Sequence, residues 1–107
     1  MILRTWKARA KSRNVDAYVR HFRELVVPSL TKLPGFLGAT VAQRSMSEGG
    51  EADVDIVVVS RWESLDAIRA FAGSDIGVAV VEPAAAAALE SYDRHVEHLT
   101  TIYDVEP

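Results

Sequence analysis

The chain has 107 residues, 49% hydrophobic and 25% charged, with a formal net charge of −3 and no cysteine. That describes one domain, residues 1–107, with enough apolar residues to build a core, which argues against both a disordered tail and a pair of domains. Absence of cysteine excludes disulfide frameworks, thiolate nucleophiles and zinc ribbons. No apolar run reaches membrane-spanning length, and MILRTWK carries Arg4 and Lys7 where a secretory leader is apolar, so a cytoplasmic protein without membrane contact is expected.

In chain order, Ile2 to Ala10 alternates as a strand, with Ile2, Arg4, Trp6 and Ala8 on one face. Asn14 is placed to cap a helix whose apolar stripe runs through Val15, Tyr18, Phe22, Leu25/Val26 and Leu33, with Pro28 expected to kink or restart it. Leu33-Pro34-Gly35-Phe36 stops that helix and turns the chain. Leu37 to Met46 reads as a second strand, and Ser47 to Glu51, with Gly49 and Gly50, as a hairpin tip. Val54 to Trp62 is β-branched and nearly uninterrupted, as in a buried strand. It runs almost directly into a helix in which Leu65, Ile68 and Phe71/Ala72 share a face, Ser64 is the N-cap and Asp66 lies in the first turn. Ile76 to Val81 is strand-like in composition but lies between turn signals. Pro83 opens a short alanine-rich helix to Leu89. Alternation from Tyr92 to Tyr103 makes a last strand, with Val96, His98 and Ile102 on one face.

This order predicts an α+β, ferredoxin-like βαββαβ domain with a four-stranded antiparallel sheet and its main helices on one face. Apolar residues at both strand parities leave the second face needing cover, and a second copy of the chain supplies it most simply, giving a homodimer with sheets face to face. Charge is divided unevenly: residues 1–44 hold nine Lys/Arg and two acids, residues 45–107 three and thirteen. The two halves are expected to neutralise each other within the fold or across a dimer interface. Lys7, Arg9, Lys11 and Arg13 share parity and form the alternative, a basic stripe for an anionic partner. The acidic overall balance argues against nucleic acid.

Trp62-Glu63-Ser64 leading into a short amphipathic helix, the earlier Leu33-Pro34-Gly35-Phe36 and the strand–helix order together resemble the antibiotic biosynthesis monooxygenase domain family. That family is a dimeric α+β barrel group containing cofactor-free quinone-forming oxygenases and haem-degrading oxygenases. The resemblance implies a homodimer without a cofactor that handles a small aromatic or quinonoid molecule. The polyketide-oxidising members use Asn, Trp, Tyr and Arg. Here Trp62 is retained, while Val58, Ile68 and Glu82 stand at the other three positions. The haem-degrading members' Asn, Trp and His fall on Trp6, Phe71 and Val81. The resemblance therefore carries the fold further than the chemistry.

From the residues themselves, the candidate catalytic groups are His21, His98 and Trp62. His98 shares parity with Val96 and Ile102 and His21 borders the helix stripe, so both imidazoles could reach a pocket beside Trp62 and serve as a general base towards a phenol or enol. Each could equally be a satisfied core histidine. No metal site is expected, because His95 and His98 point to opposite faces and Glu97 has the wrong parity. Arg4, Trp6, Tyr18, Phe22, Phe71 and Tyr92 are candidate substrate-binding residues lining a cavity for a flat ring, or else core. Arg4, if buried, needs a carboxylate or an anionic ligand, with Glu97 the carboxylate expected to meet it. Two functions remain open: a cofactor-independent oxygenase-like enzyme, and a non-catalytic dimeric module that binds a small apolar molecule or only itself.

Overall fold

A ten-residue strand, β1 (Ile2–Lys11), forms the middle of the molecule. The structure, a computed structural model, describes residues 1–44 and 53–107. β3 (Asp53–Trp62) lies along the whole of β1, from Ile2 opposite Trp62 to Lys11 opposite Asp53. β2 (Phe36–Gln43) pairs with the far edge of β3. The other edge of β1 is shared by β4 (Ser91–Tyr92) and β5 (Glu97–Thr100), and every pairing is antiparallel. Helices α1 (Val15–His21), α2 (Val27–Thr31), α3 (Leu65–Ala72) and α4 (Pro83–Ala87) pack on one face of this sheet. This is the ferredoxin-like α+β arrangement.

Local chemistry accounts for most element ends. Ser64 Oγ accepts the Ala67 N–H at 3.1 Å and so caps α3, which the Asp66 carboxylate also supports at its positive end. Gly35 turns the chain into β2 with φ 86°, and a Cβ there would stand 2.7 Å from the Ala67 Cβ, so only glycine lets this turn lie against α3. Asn14 does not cap. It ends a 3-10 turn, Ser12–Asn14, already in helical backbone conformation, and its side chain makes no capping bond. The first helical region is broken into three pieces: α1, a π-helical stretch over Phe22–Val26, and α2. Pro28 explains the break. It lacks an N–H and its ring clashes with the carbonyl four residues back, so it sits in the first turn of α2 and the preceding backbone widens.

The C-terminal third departs most from the alternating pattern. Ile76 to Val81 is not a strand; a single bridge joins Val78 to His95. The last strand is two short ones, and Ile102 and Tyr103 lie outside both, exposed. Between Ala8↔Tyr92 and Arg4↔His98, three residues of β1 face five of the outer strand. The excess bulges outward, where Ala79 N–H bonds Arg94 O and Val96 N–H bonds Gly77 O, and the Trp6 indole N–H closes the gap by donating to Asp93 O at 2.7 Å. The expected hairpin tip at Ser47–Glu51 and the end of the second strand at Met46 lie outside the described residues.

Two clusters make up the core. One gathers Ala10, Tyr18, Ile56 and Ala85, the other Leu30, Trp62 and Ile68. Burying a side chain the size of Ile56 or Ile68 contributes roughly 1.5–3 kcal/mol. The charge halves do neutralise each other within the fold: Arg9 and Arg44 both bond the Asp55 carboxylate, at 3.0 and 3.2 Å, and Lys11 meets Asp53 at 2.9 Å. Hydrogen bonds from Arg9 and then Arg44 hold Asp55 below the usual carboxylate pKa. The basic stripe thus has internal acidic partners at Arg9 and Lys11.

Candidate functional site

Register places Ala39, Ser60, Arg4 and His98 in a single row across the helix-covered face of the sheet. The row on one side is Val41, Val58 and Trp6; on the other it is Phe36, Trp62, Ile2 and Thr100. A small and polar row therefore divides two apolar ones. The two core clusters form over the apolar rows, and a cavity of about 90 Å³ opens between them. That is well above the roughly 10–15 Å³ one water needs. Arg4 and Ser60 face it from the sheet, Trp6, Phe22 and Phe71 are aromatic walls, and Glu82 lies on its exposed rim.

Six of the residues anticipated from sequence come together on this cavity: Arg4, Trp6, Tyr18, His21, Phe22 and Phe71. Trp62 does not reach it. Its indole is wholly buried in the second cluster, 5.2 Å from Phe36 and 5.9 Å from Phe71 by ring centroid, and its N–H donates to Ser60 Oγ at 2.9 Å. The cavity lies one row away from Trp62, with Ser60 between them. Tyr92 packs on the outer side of Trp6, 41% exposed, and is not a wall. Ser60 and Glu82 were missed as lining residues, although a lone hydroxyl at an inward position within Val54–Val59 and Trp62 marks a place where the core is not filled by hydrocarbon.

Arg4 is 5% exposed, yet Glu97 does not pair with it. Glu97 stands opposite Thr5 and so belongs to the other face of the sheet. Instead Arg4 Nη1 donates to Ile76 O at 2.5 Å and approaches His98 Nε2 at 2.9 Å, and Nη2 donates to Val78 O at 3.0 Å. The guanidinium lies 5.8 Å from the Phe71 ring centroid. An arginine has only donors, so His98 Nε2 must accept, which fixes the neutral ring with its proton on Nδ1. Burial, then the Arg4 charge, pushes the His98 pKa down. Its Nε2 lone pair is spent on Arg4, and His98 is not among the cavity walls. Burial also lowers the Arg4 pKa and raises that of Tyr18 to about 12, so the phenol stays protonated at neutral pH. His21 differs from His98: it lines the cavity with both ring nitrogens buried and without a hydrogen-bond partner among the described residues. Among the described residues no group of three His, Asp or Glu side chains is placed to hold a metal ion.

An antiparallel α+β sheet with helices on one face and a small cavity beneath them defines a ferredoxin-like domain with an internal cavity. The family model for antibiotic biosynthesis monooxygenases matches residues 1–97, and the chain belongs to that family. Among solved structures, a Bacillus cereus protein named as a candidate antibiotic biosynthesis monooxygenase superposes with a TM-score of 0.68 at 20% identity, over 99% of this chain and 95% of that one. A variant of MhuD, solved with two manganese protoporphyrin IX molecules per active site, superposes with a TM-score of 0.64 at 16% identity, over the full length of both chains. At these identities the likeness is one of fold. No curated protein matches the chain significantly.

Proposed function

We propose that this domain handles a small, flat aromatic or quinonoid molecule in the cavity between sheet and helices, as a cofactor-independent monooxygenase. The observation that carries the reading is the cavity itself: aromatic walls on an otherwise filled core, with an arginine and an unpartnered imidazole on its lining. Trp6, Phe22 and Phe71 exclude water and hold the ring. His21 acts as the base, because neither of its nitrogens is committed to a partner among the described residues, and takes the acidic proton of a phenol or enol. The substrate anion donates an electron to dioxygen, the two radicals combine, and loss of water from the hydroperoxide leaves the carbonyl. One oxygen atom enters the product and the other leaves as water. His98, committed to Arg4, and Trp62, enclosed in the core, act by holding this site in shape.

The tetrapyrrole seen in the MhuD variant does not fit these residues. A space of about 90 Å³ lined by Trp6, Phe22 and Phe71 is too small for a tetrapyrrole, and Val81 stands where the resemblance puts the haem-degrading members' histidine, the imidazole on this wall being that of His21. No step here uses haem, and titration with haemin should leave the Soret band of free haemin unshifted. The open face of the sheet carries Leu3, Val57, Val59 and Leu99, the last 49% exposed, and we assign its cover to a second copy of the chain. No helix among the described residues is long and apolar enough to cross a membrane.

The test is oxygen uptake with anthrones and 1-naphthols, whose ring C–H becomes the new carbonyl, under air in chelator-treated buffer, with the quinone product followed by absorbance. Turnover above the spontaneous rate, reduced by roughly two orders of magnitude in His21→Phe, supports the enzyme. Binding of the same molecules without uptake refutes it and leaves the second reading, a non-catalytic homodimeric binding module, which the unfilled cavity also favours.

A further inference from the structure

We propose that the cavity selects ligands that carry a negative charge on a flat ring, and that Arg4 is the group that recognises it, held in place by His98. This deepens the reading of the cavity as a ligand site and rests on it. A buried guanidinium ordinarily has a carboxylate beside it, because an uncompensated charge in the interior is costly. Arg4 has none within ion-pair distance among the described residues. Its partners are two carbonyls of the 76–78 segment and an imidazole lone pair, all neutral.

Those contacts use both hydrogens of Nη1 and one of Nη2. The Nε–H and the second Nη2–H have no protein acceptor among the described residues, while Arg4 itself is a cavity wall. Phe71 lies against the guanidinium, so a ring in the cavity would meet an aromatic wall and a cation together. The acid on the lining, Glu82, is exposed at the rim and makes no ion pair with Arg4 among the described residues. An ionised phenol, an enolate or an aromatic carboxylate meets both vacancies, the unspent donors and the unbalanced charge.

The bland alternative is a purely structural clamp, in which Arg4 ties the 76–78 segment to β1 and β5. The clamp is real, but a clamp is indifferent to ligand charge. His98 enters as a positioning residue: by accepting from Nη1 it fixes the guanidinium plane, and by staying neutral it leaves the cation uncompensated for the ligand.

The experiment is isothermal titration of the wild-type protein with 2-naphthoate and with its neutral twin, methyl 2-naphthoate. The expected result is binding of the anion tighter by roughly tenfold or more, the scale of a hydrogen bond to a charged group. Arg4→Met should abolish that preference, read as the ratio of the two affinities, and Arg4→Lys should restore part of it. His98→Leu should narrow the preference and His98→Gln, which keeps an acceptor, should retain it. Parallel titrations with 2-naphthol above and below its ionisation decide between an oxyanion on the ring and a carboxylate. Equal affinity of wild type for naphthoate and ester overturns this inference alone, a comparison that stands even where Arg4→Met fails to fold. Absence of binding by either compound overturns the cavity reading as well.

Discussion

Ser60→Ala tests the link between the cavity floor and the core most directly. Ser60 Oγ accepts the Trp62 indole N–H at 2.9 Å, and Trp62 is fully buried, so deleting the hydroxyl strands a donor inside the protein. Leaving a buried donor unsatisfied costs about 1–3 kcal/mol, whereas removing both partners together costs far less. The assay is urea unfolding followed by tryptophan fluorescence, at one protein concentration because self-association would make stability concentration-dependent. With a slope of about 2 kcal/mol per molar urea, the midpoint should fall by roughly 0.5–1.5 M with the slope unchanged. In a Trp62→Phe background, which has no indole N–H, Ser60→Ala should shift the midpoint much less. Equal shifts in the two backgrounds would refute the hydrogen bond as the cause. An unchanged midpoint in the wild-type background would show that cavity water replaces the hydroxyl, contrary to the walled-off Trp62 described above.

Three further outcomes are expected. Ser64→Ala should destabilise by about 0.5–2 kcal/mol through loss of the bond to Ala67 N–H, measured by the same unfolding curve, and Ser64→Asp should recover most of it. His98 has its pKa lowered in the folded state, so the unfolded chain binds the proton more readily; its contribution to stability is therefore complete above about pH 6.5 and is lost as pH falls from there towards the folded value. Thermal midpoints measured from pH 7.5 to 5 should fall less steeply in His98→Gln than in wild type. Arg44→Ala should leave stability almost unchanged, because its pairing with Asp55 is solvent-screened and Arg9 remains on the same carboxylate; the check is its urea midpoint in low and high salt.

The parts of the molecule written in short-range pattern were readable from the chain. The β-branched run to Trp62, the serine after it and the Pro-Gly turn each act within a few residues, and each does in the structure what its chemistry requires. Strand parity also put Arg4 and Trp6 on one face of the first strand, which is the inner one. What parity hides is any shift by two. The outer strand gains two residues against β1 between Tyr92 and His98, so the side chains keep alternating and the sequence reads as one strand from Tyr92 to Tyr103 while the backbone breaks. Glu97 misled for a different reason: a buried arginine calls for a carboxylate, yet this one is held by carbonyls from a segment over 70 residues away, and no local signal points to them. The commitment of the His98 lone pair is likewise a three-dimensional fact. His21, on the helix, could be placed near the cavity from its spacing, but its lack of a partner could not be read from spacing alone.

The central position of β1 has a kinetic consequence. It is the earliest strand in the chain, but its partners begin only at Asp53 on one side and Ser91 on the other. Both edges of a ten-residue strand bearing Leu3, Trp6 and Ala8 thus stay unpaired while the next 40 residues are made, a few seconds at roughly 5–20 residues per second. One edge stays open until the last strands emerge. The alternation of Lys7, Arg9 and Lys11 along its exposed parity gives that waiting strand a charged edge, a known deterrent to pairing with the wrong chain. Closing the β1–β5 pairing joins residues more than 90 positions apart, so this domain should fold slowly for its size, with the C-terminal strands setting the pace.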